Sequence, residues 1–247
     1  MKKLMKKIII IAIGFMMLMI AVPVTNLFES ETVQAATKNG LYHEGMDWNY
    51  YVDGKLATGT TTLVKYNNSW WYVHNGKIDF GAKTLVRYNE EWWYVHGGKV
   101  DFITKTLVKY NGSWWYVHGG KVDFEARTLF KYNGIWWFIE DGRINWNSET
   151  IANYYGTWYY VKNGQVKWNS GEMLCRYDVE FFGQSWWYVK DGKVDLNENT
   201  LFKYNGIWWY IVDGHVDFGS YTTTKYNGLT YWVRDGQVQW NMSPYYE

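Results

Sequence analysis

Apolar and polar positions alternate with a period of two in short bursts along this chain, and a turn signal cuts off each burst. Tyr110 to Gly120, YNGSWWYVHGG, shows the pattern: Asn111-Gly112 marks one turn, Trp114 to His118 alternates, and Gly119-Gly120 marks the next turn. Asn-Gly returns at Asn133-Gly134, Asn205-Gly206 and Asn227-Gly228, a pair suited to the positive φ of tight hairpin turns. The pattern predicts strand, turn, strand, turn and a short third strand, over and over. Side chains of a strand point alternately to opposite faces, so SWWYVH divides into Trp70, Tyr72 and His74 on one face and Trp71 and Val73 on the other.

Nearly the same words return every 22 residues, with units beginning at Leu63, Leu85, Leu107, Leu129 and Ile151. A degenerate unit precedes them, because Trp48 and Gly54 stand where Trp70 and Gly76 stand one period later. A longer unit of 28 residues follows from Met173, then units from Leu201 and Thr223. One position is Gly in all nine units: Gly54, Gly76, Gly98, Gly120, Gly142, Gly164, Gly192, Gly214 and Gly236. A residue held while its neighbours drift implies a backbone requirement, here φ > 0 in a tight turn. The expected organisation is a signal peptide over 1–36, a degenerate cap repeat over 37–62, hairpin repeats over 63–244 with 173–200 longer and irregular, and a tail at 245–247.

Units this small cannot bury enough surface to fold alone, so they must stack. The fold class expected is therefore all-β, an open β-solenoid of stacked β-hairpin repeats. A β-propeller is the alternative, because two units supply the strands of one blade. Nine units do not pair off evenly, and the insertion near Asp178 to Phe182 would disturb a closed ring more than an open stack.

Composition changes the picture in two ways. The chain holds 18 Trp and 23 Tyr against 2 Pro, far from average usage. Its first residues place four Lys before an apolar run from Ile8 to Val24, with small residues at Val33-Gln34-Ala35-Ala36, the form of a cleaved secretory signal. The rival reading is an uncleaved membrane anchor. Cleavage removes four Lys and two Glu and leaves a nearly neutral chain, so nucleic acid is an unsuitable partner: no basic face accompanies the aromatics. Cys175 is the one cysteine, which excludes an intrachain disulfide and reads as a small buried hydrophobe.

Within each unit the second Trp reads as core: Trp71, Trp93, Trp115, Trp137, Trp187 and Trp209, joined by Phe80, Phe102, Phe124, Trp146, Trp168 and Trp240. Each buried Trp removes roughly 150–250 Å² from water, on the order of 4–6 kcal/mol gross. The other face carries the candidate site, a ladder of amphipathic rings expected on the wetter side. Its Trp members are Trp70, Trp92, Trp114, Trp136, Trp158, Trp186 and Trp208; its Tyr members are Tyr72, Tyr88, Tyr94, Tyr110, Tyr116, Tyr132, Tyr160, Tyr188 and Tyr210. Such platforms suit sugar rings by stacking, or quaternary ammonium groups by cation–π attraction. The bland reading is that these rings only pack one unit on the next.

Other chemistry finds little support. His74, His96 and His118 recur singly, without Cys or carboxylate in ligand spacing, so no metal or cofactor is expected. Acids are dealt out one at a time by the repeat, whereas glycoside hydrolysis needs two differently tuned carboxylates in one cleft, so an enzyme is not expected.

The unit GTWYYVKNGQV, Gly156 to Val166, resembles the choline-binding and glucan-binding cell-wall repeats of Gram-positive bacterial surface proteins. The resemblance spans all nine units. It implies a solenoid of hairpins that holds cell-wall polysaccharide or teichoic acid non-covalently, with choline as a further candidate ligand and with ligands between consecutive hairpins. Trp158 with Tyr160, Trp70 with Tyr72 and Trp114 with Tyr116 match the outer aromatics of the family's triplet. Leu85-Val86 and its equivalents replace the family's Gly-Trp, and Ile78, Val100, Val122 and Val166 replace its Met, so one wall of a choline cage is lacking unless Tyr88 or Tyr110 of the following unit supplies it. The expected protein is secreted, held at the cell surface without catalysis and without a membrane contact after signal cleavage. The C-terminal NMSPYYE has no sorting motif, so retention would be non-covalent. A structural or adhesive spacer is the alternative.

Overall fold

The computed structural model describes residues 37–179 and 183–241. The signal peptide expected over 1–36, the tail at 245–247 and the centre of the insertion lie outside the described residues. All regular elements among those residues are strands. In the unit of Leu63, the strand Thr61–Tyr66 pairs antiparallel with Ser69–His74, and the short strand Lys77–Ile78 then folds back on the second. Asn67 and Asn68 close the first turn with φ of 45° and 59°, and Asn75-Gly76 closes the second with 49° and 75°. Positive φ at both central residues gives a turn whose twist matches the strands, which is why Asn and Gly crowd these positions.

One contact set joins the units. The third strand of each unit pairs with the second strand of the unit before, as Lys99 with Trp71 and Lys121 with Trp93. Beside each such pair an amide donates to the recurrent glycine's carbonyl, from Tyr50 N–H to Gly76 at 2.7 Å through Tyr210 N–H to Gly236 at 2.8 Å. No described strand of the last unit pairs with the first, so the stack is open and the propeller alternative falls. The repeated glycine has a second cause besides its φ. A Cβ at Gly98 would stand 2.8 Å from the Asp79 carbonyl oxygen, and one at Gly142 2.4 Å from that of Asp123. At Gly112 and Gly134, in the other turn, a Cβ meets nothing within 4 Å.

The long unit keeps this frame with a shifted start. Leu174 faces Tyr188 across the hairpin as Leu85 faces Tyr94, so the equivalent position is one residue beyond Met173, with Gly171 as the extra residue before it. The hairpin lengthens to Glu172–Val179 against Gly183–Lys190. Both flanking links persist, Tyr160 N–H to Gly192 at 2.9 Å and Tyr188 N–H to Gly214 at 2.8 Å. An open stack absorbs a longer hairpin because the unit-to-unit links stay at Trp187, Tyr188 and Gly192 of its described residues.

The core differs from the expected one. Val73, Val95, Val117, Ile139, Val161, Val189, Ile211 and Val233 are fully buried, with Leu63 and its equivalents beside them. These residues form small clusters, each spanning one junction: Leu85 and Tyr94 of one unit pack on Val108, Val117 and Val122 of the next. The expected core residues Trp71, Trp93, Trp115, Trp137, Trp187 and Trp209 are only partly buried. Phe80, Phe102, Phe124, Trp146, Trp168 and Trp240 are exposed. The reason is local. The third strand stops at Ile78, so Phe80 belongs to a turn instead of a strand face, and it packs edge-on against Trp71 with centroids 5.7 Å apart.

Candidate functional site

Every junction carries an aromatic pair, the first Trp of one unit against the first-strand Tyr of the next. Centroid distances are 5.0 Å for Trp48–Tyr66, 5.2 Å for Trp70–Tyr88 and Trp92–Tyr110, and 5.5 Å for Trp114–Tyr132. They are 4.9 Å for Trp136–Tyr154, 5.2 Å for Trp158–Tyr177, 6.3 Å for Trp186–Tyr204 and 5.3 Å for Trp208–Tyr226. The interplanar angles, 55° to 70°, leave the two rings as inclined walls instead of a closed stack. The pairing follows from the stack, because the residue at each strand-two start leans over the next unit's first strand.

Two of these pairs open onto cavities of one design. Leu63, Trp70, Tyr88, Asn89, Trp93 and Val100 line a cavity of about 110 Å³. Leu85, Trp92, Tyr110, Asn111, Trp115, Val122 and Phe124 line one of about 120 Å³, at positions one period on. Neither lining holds a charged side chain. For scale, an apolar cavity of about 150 Å³ takes a benzene ring. Three rings meet at the first, Trp70, Tyr88 and Trp93, and the second repeats them as Trp92, Tyr110 and Trp115 and adds Phe124.

The third ring was hidden in the sequence, where Trp93 and Trp115 read as core. A hydrogen bond holds each in place, Trp93 Nε1 donating to the Tyr88 carbonyl at 3.1 Å and Trp115 Nε1 to that of Tyr110 at 3.2 Å. Each thus binds the backbone of the Tyr that forms the neighbouring wall. The available signal was the doubled Trp itself. Lys121 Nζ lies 4.7 Å from the Trp93 ring centroid without lining the cavity, and Glu91 holds it at 3.0 Å.

The ladder's second row falls elsewhere. Tyr94, Tyr116, Tyr160 and Tyr188 are at most 3% exposed, and Tyr72 and Tyr210 are half-buried. The wetter face expected for them does not exist, because the next unit's hairpin covers it. Burial raises the Tyr94 and Tyr160 phenols above the ordinary range, and the Tyr160 hydroxyl donates to Glu149 Oε1 at 2.6 Å. That bond and Lys162 hold the Glu149 carboxyl below its usual range. His74, His96 and His118 face solvent, His74 sharing a hydrogen bond with Thr61 Oγ1 at 3.0 Å.

Cys175 is buried, and burial pushes its thiol up to about 12. Since the thiolate is the reactive form, a thiol reagent at pH 8 is expected to label the native chain far more slowly than the urea-unfolded chain. Rapid native labelling would contradict this placement of Cys175.

The family model described as a choline-binding repeat matches residues 59–79, 81–101, 103–123, 128–145, 147–167, 179–195 and 197–217. No curated protein sequence matches the chain. Among solved structures, CbpJ from Streptococcus pneumoniae TIGR4 is similar at 15% identity, over 82% of this chain and 74% of that one, with a TM-score of 0.31. Choline binding protein F from Streptococcus pneumoniae is similar at 19% identity, over 78% and 61% of the two chains, with a TM-score of 0.28. An alternansucrase in complex with isomaltotriose is similar at 16% identity, over 58% of this chain and 12% of that one, with a TM-score of 0.26.

Proposed function

The chain belongs to the choline-binding repeat family, and on that premise we propose that it is a secreted, non-catalytic protein that grips cell-wall polymers through its junction cages. The ligand group is the quaternary ammonium of choline carried on a teichoic-acid-type polymer. The observation that carries this reading is the meeting of Trp70, Tyr88 and Trp93 around one uncharged cavity, repeated by Trp92, Tyr110 and Trp115. An ammonium whose charge is spread over methyl groups suits such walls: the rings' negative faces attract it and their apolar bodies replace its water. Each ring contributes about 0.5–2 kcal/mol, which places free choline near the millimolar range, about −4 kcal/mol.

Titration of the full chain with choline chloride, read by Trp fluorescence and calorimetry, is expected to saturate in the millimolar range, and choline in excess is expected to elute the protein from choline-bearing walls. No response to choline together with quenching by a neutral glucan would replace the ammonium with a sugar ring. No response to either would leave the aromatic pairs as packing between units, a reading that the ring contacts of 4.9 Å to 6.3 Å also suit.

A further inference from the structure

The Trp158–Tyr177 junction is built differently from the two cages. Its cavity, of about 160 Å³, is lined by Ile151, Ala152, Asn153, Trp158 and Tyr177, but also by Arg127, Thr128 and Phe138 of an earlier unit. The guanidinium carbon of Arg127 lies 5.6 Å from the Tyr177 ring centroid and 5.9 Å from that of Phe138. Trp187 holds the position that Trp93 holds in its cage, yet it does not line this cavity. Its indole N–H is buried without an acceptor among the described residues, where those of Trp71, Trp93 and Trp115 bond a Tyr carbonyl. This cavity therefore has Phe138 as its third ring where each cage has a Trp, although Trp187 packs on the same core cluster as Trp158 and Tyr177, and it holds a fixed positive charge over two of its rings.

We propose that Arg127 is a built-in cation that sets the specificity of the Trp158–Tyr177 step, excluding quaternary ammonium from it while the cages at Trp70–Tyr88 and Trp92–Tyr110 accept it. The inference rests on the ammonium reading above. Two effects act together. The guanidinium occupies the ring face that a ligand cation would use, and like charges repel most where walls exclude water. Glu140 lies 3.5 Å from Arg127 Nε and offsets part of that charge, but Glu140 does not line the cavity. Lys105 stands at the matching place one unit earlier, with Nζ 5.6 Å from the Tyr116 centroid. At this place the chain then changes sign, to Glu149 and Glu172, each opposite a Lys across its hairpin.

The test follows single indole N–H resonances in the full chain, assigned by individual Trp→Phe substitutions, during titration with choline chloride and with tetramethylammonium. The Trp70 and Trp92 signals are expected to saturate, while Trp158 stays still up to at least tenfold higher concentration. Arg127→Gln should bring Trp158 into the same range as Trp70, and Arg127→Lys should keep it silent, which separates charge from packing. Trp158 saturating with Trp70 in the unaltered chain overturns the proposal, as does a silent Trp158 in Arg127→Gln with Trp70 still responding. If Trp70 and Trp92 do not respond either, the ammonium reading itself fails, and this proposal falls with it.

Discussion

Gly142→Ala is expected to lower the unfolding free energy by about 3–5 kcal/mol, while Gly134→Ala in the same unit lowers it by about 1 kcal/mol. Both residues sit at positive φ, 69° and 81°, where a Cβ costs roughly 1–2 kcal/mol, partly offset by the reduced freedom of the unfolded chain. They differ in their surroundings. A Cβ on Gly142 would reach 2.4 Å from the Asp123 carbonyl oxygen and 2.9 Å from the Phe124 Cα, which are backbone atoms that no rotamer change can move. Nothing lies within 4 Å of one on Gly134. Relief at Gly142 requires the two units to separate, and that breaks the 2.7 Å bond from Tyr116 N–H to the Gly142 carbonyl. Stability in a stack of repeats is largely a sum of nearest-neighbour terms, so amide exchange should quicken first at Tyr116 and its neighbours. Urea unfolding of both variants provides the comparison, and equal losses would remove the close approach as the reason for the recurrent glycine.

The second large effect concerns polymer, not monomer. Trp70→Leu keeps an apolar contact with Leu63 but removes a π face from one cage, and Trp92→Leu does the same one unit on. In the double variant the calorimetric stoichiometry for free choline is expected to fall by two. Retention on a choline-bearing polymer should fall far more, by about 10² or beyond, because each additional engaged site raises overall affinity by about 10²–10⁴ where geometry allows. The fixed bond set at every junction holds the cages in constant relation, which is the condition for simultaneous engagement. A loss of retention no greater than the loss of sites would show that the cages act singly.

Much of this was legible in the chain because it depends on short range. A 22-residue period, Asn and Gly pairs at hairpin turns and two-residue alternation are local signals, and they determined the strand–turn–strand–turn–strand unit and the need of such units to stack. The ladder pairing of Trp70 with Tyr88 was within reach for the same reason: the repeat places them at fixed spacing, and a cage lacking one wall pointed to the following unit.

What the tertiary structure alone decided is which side of each residue is covered. Alternation along one strand assumes a buried face and a wet face, but here each hairpin has a neighbour on both sides. Tyr94, read as wet, is therefore 1% exposed, and Phe102, read as core, is 49% exposed because its strand ends before it. Trp93 became a cage wall by an indole bond to the Tyr88 carbonyl, a contact set by how the hairpin twists and invisible to face counting. The start of the long unit at Leu174 needed the pairing with Tyr188, since Met173 and Leu174 are equally apolar. Arg127 meets Tyr177 across two junctions, a distance in sequence over which no local pattern carries information. The sequence by itself determined the repeating unit, because hairpin turns and strand period are properties of a few adjacent residues; only the stacking of units decided the walls of the cages, because those walls come from different units.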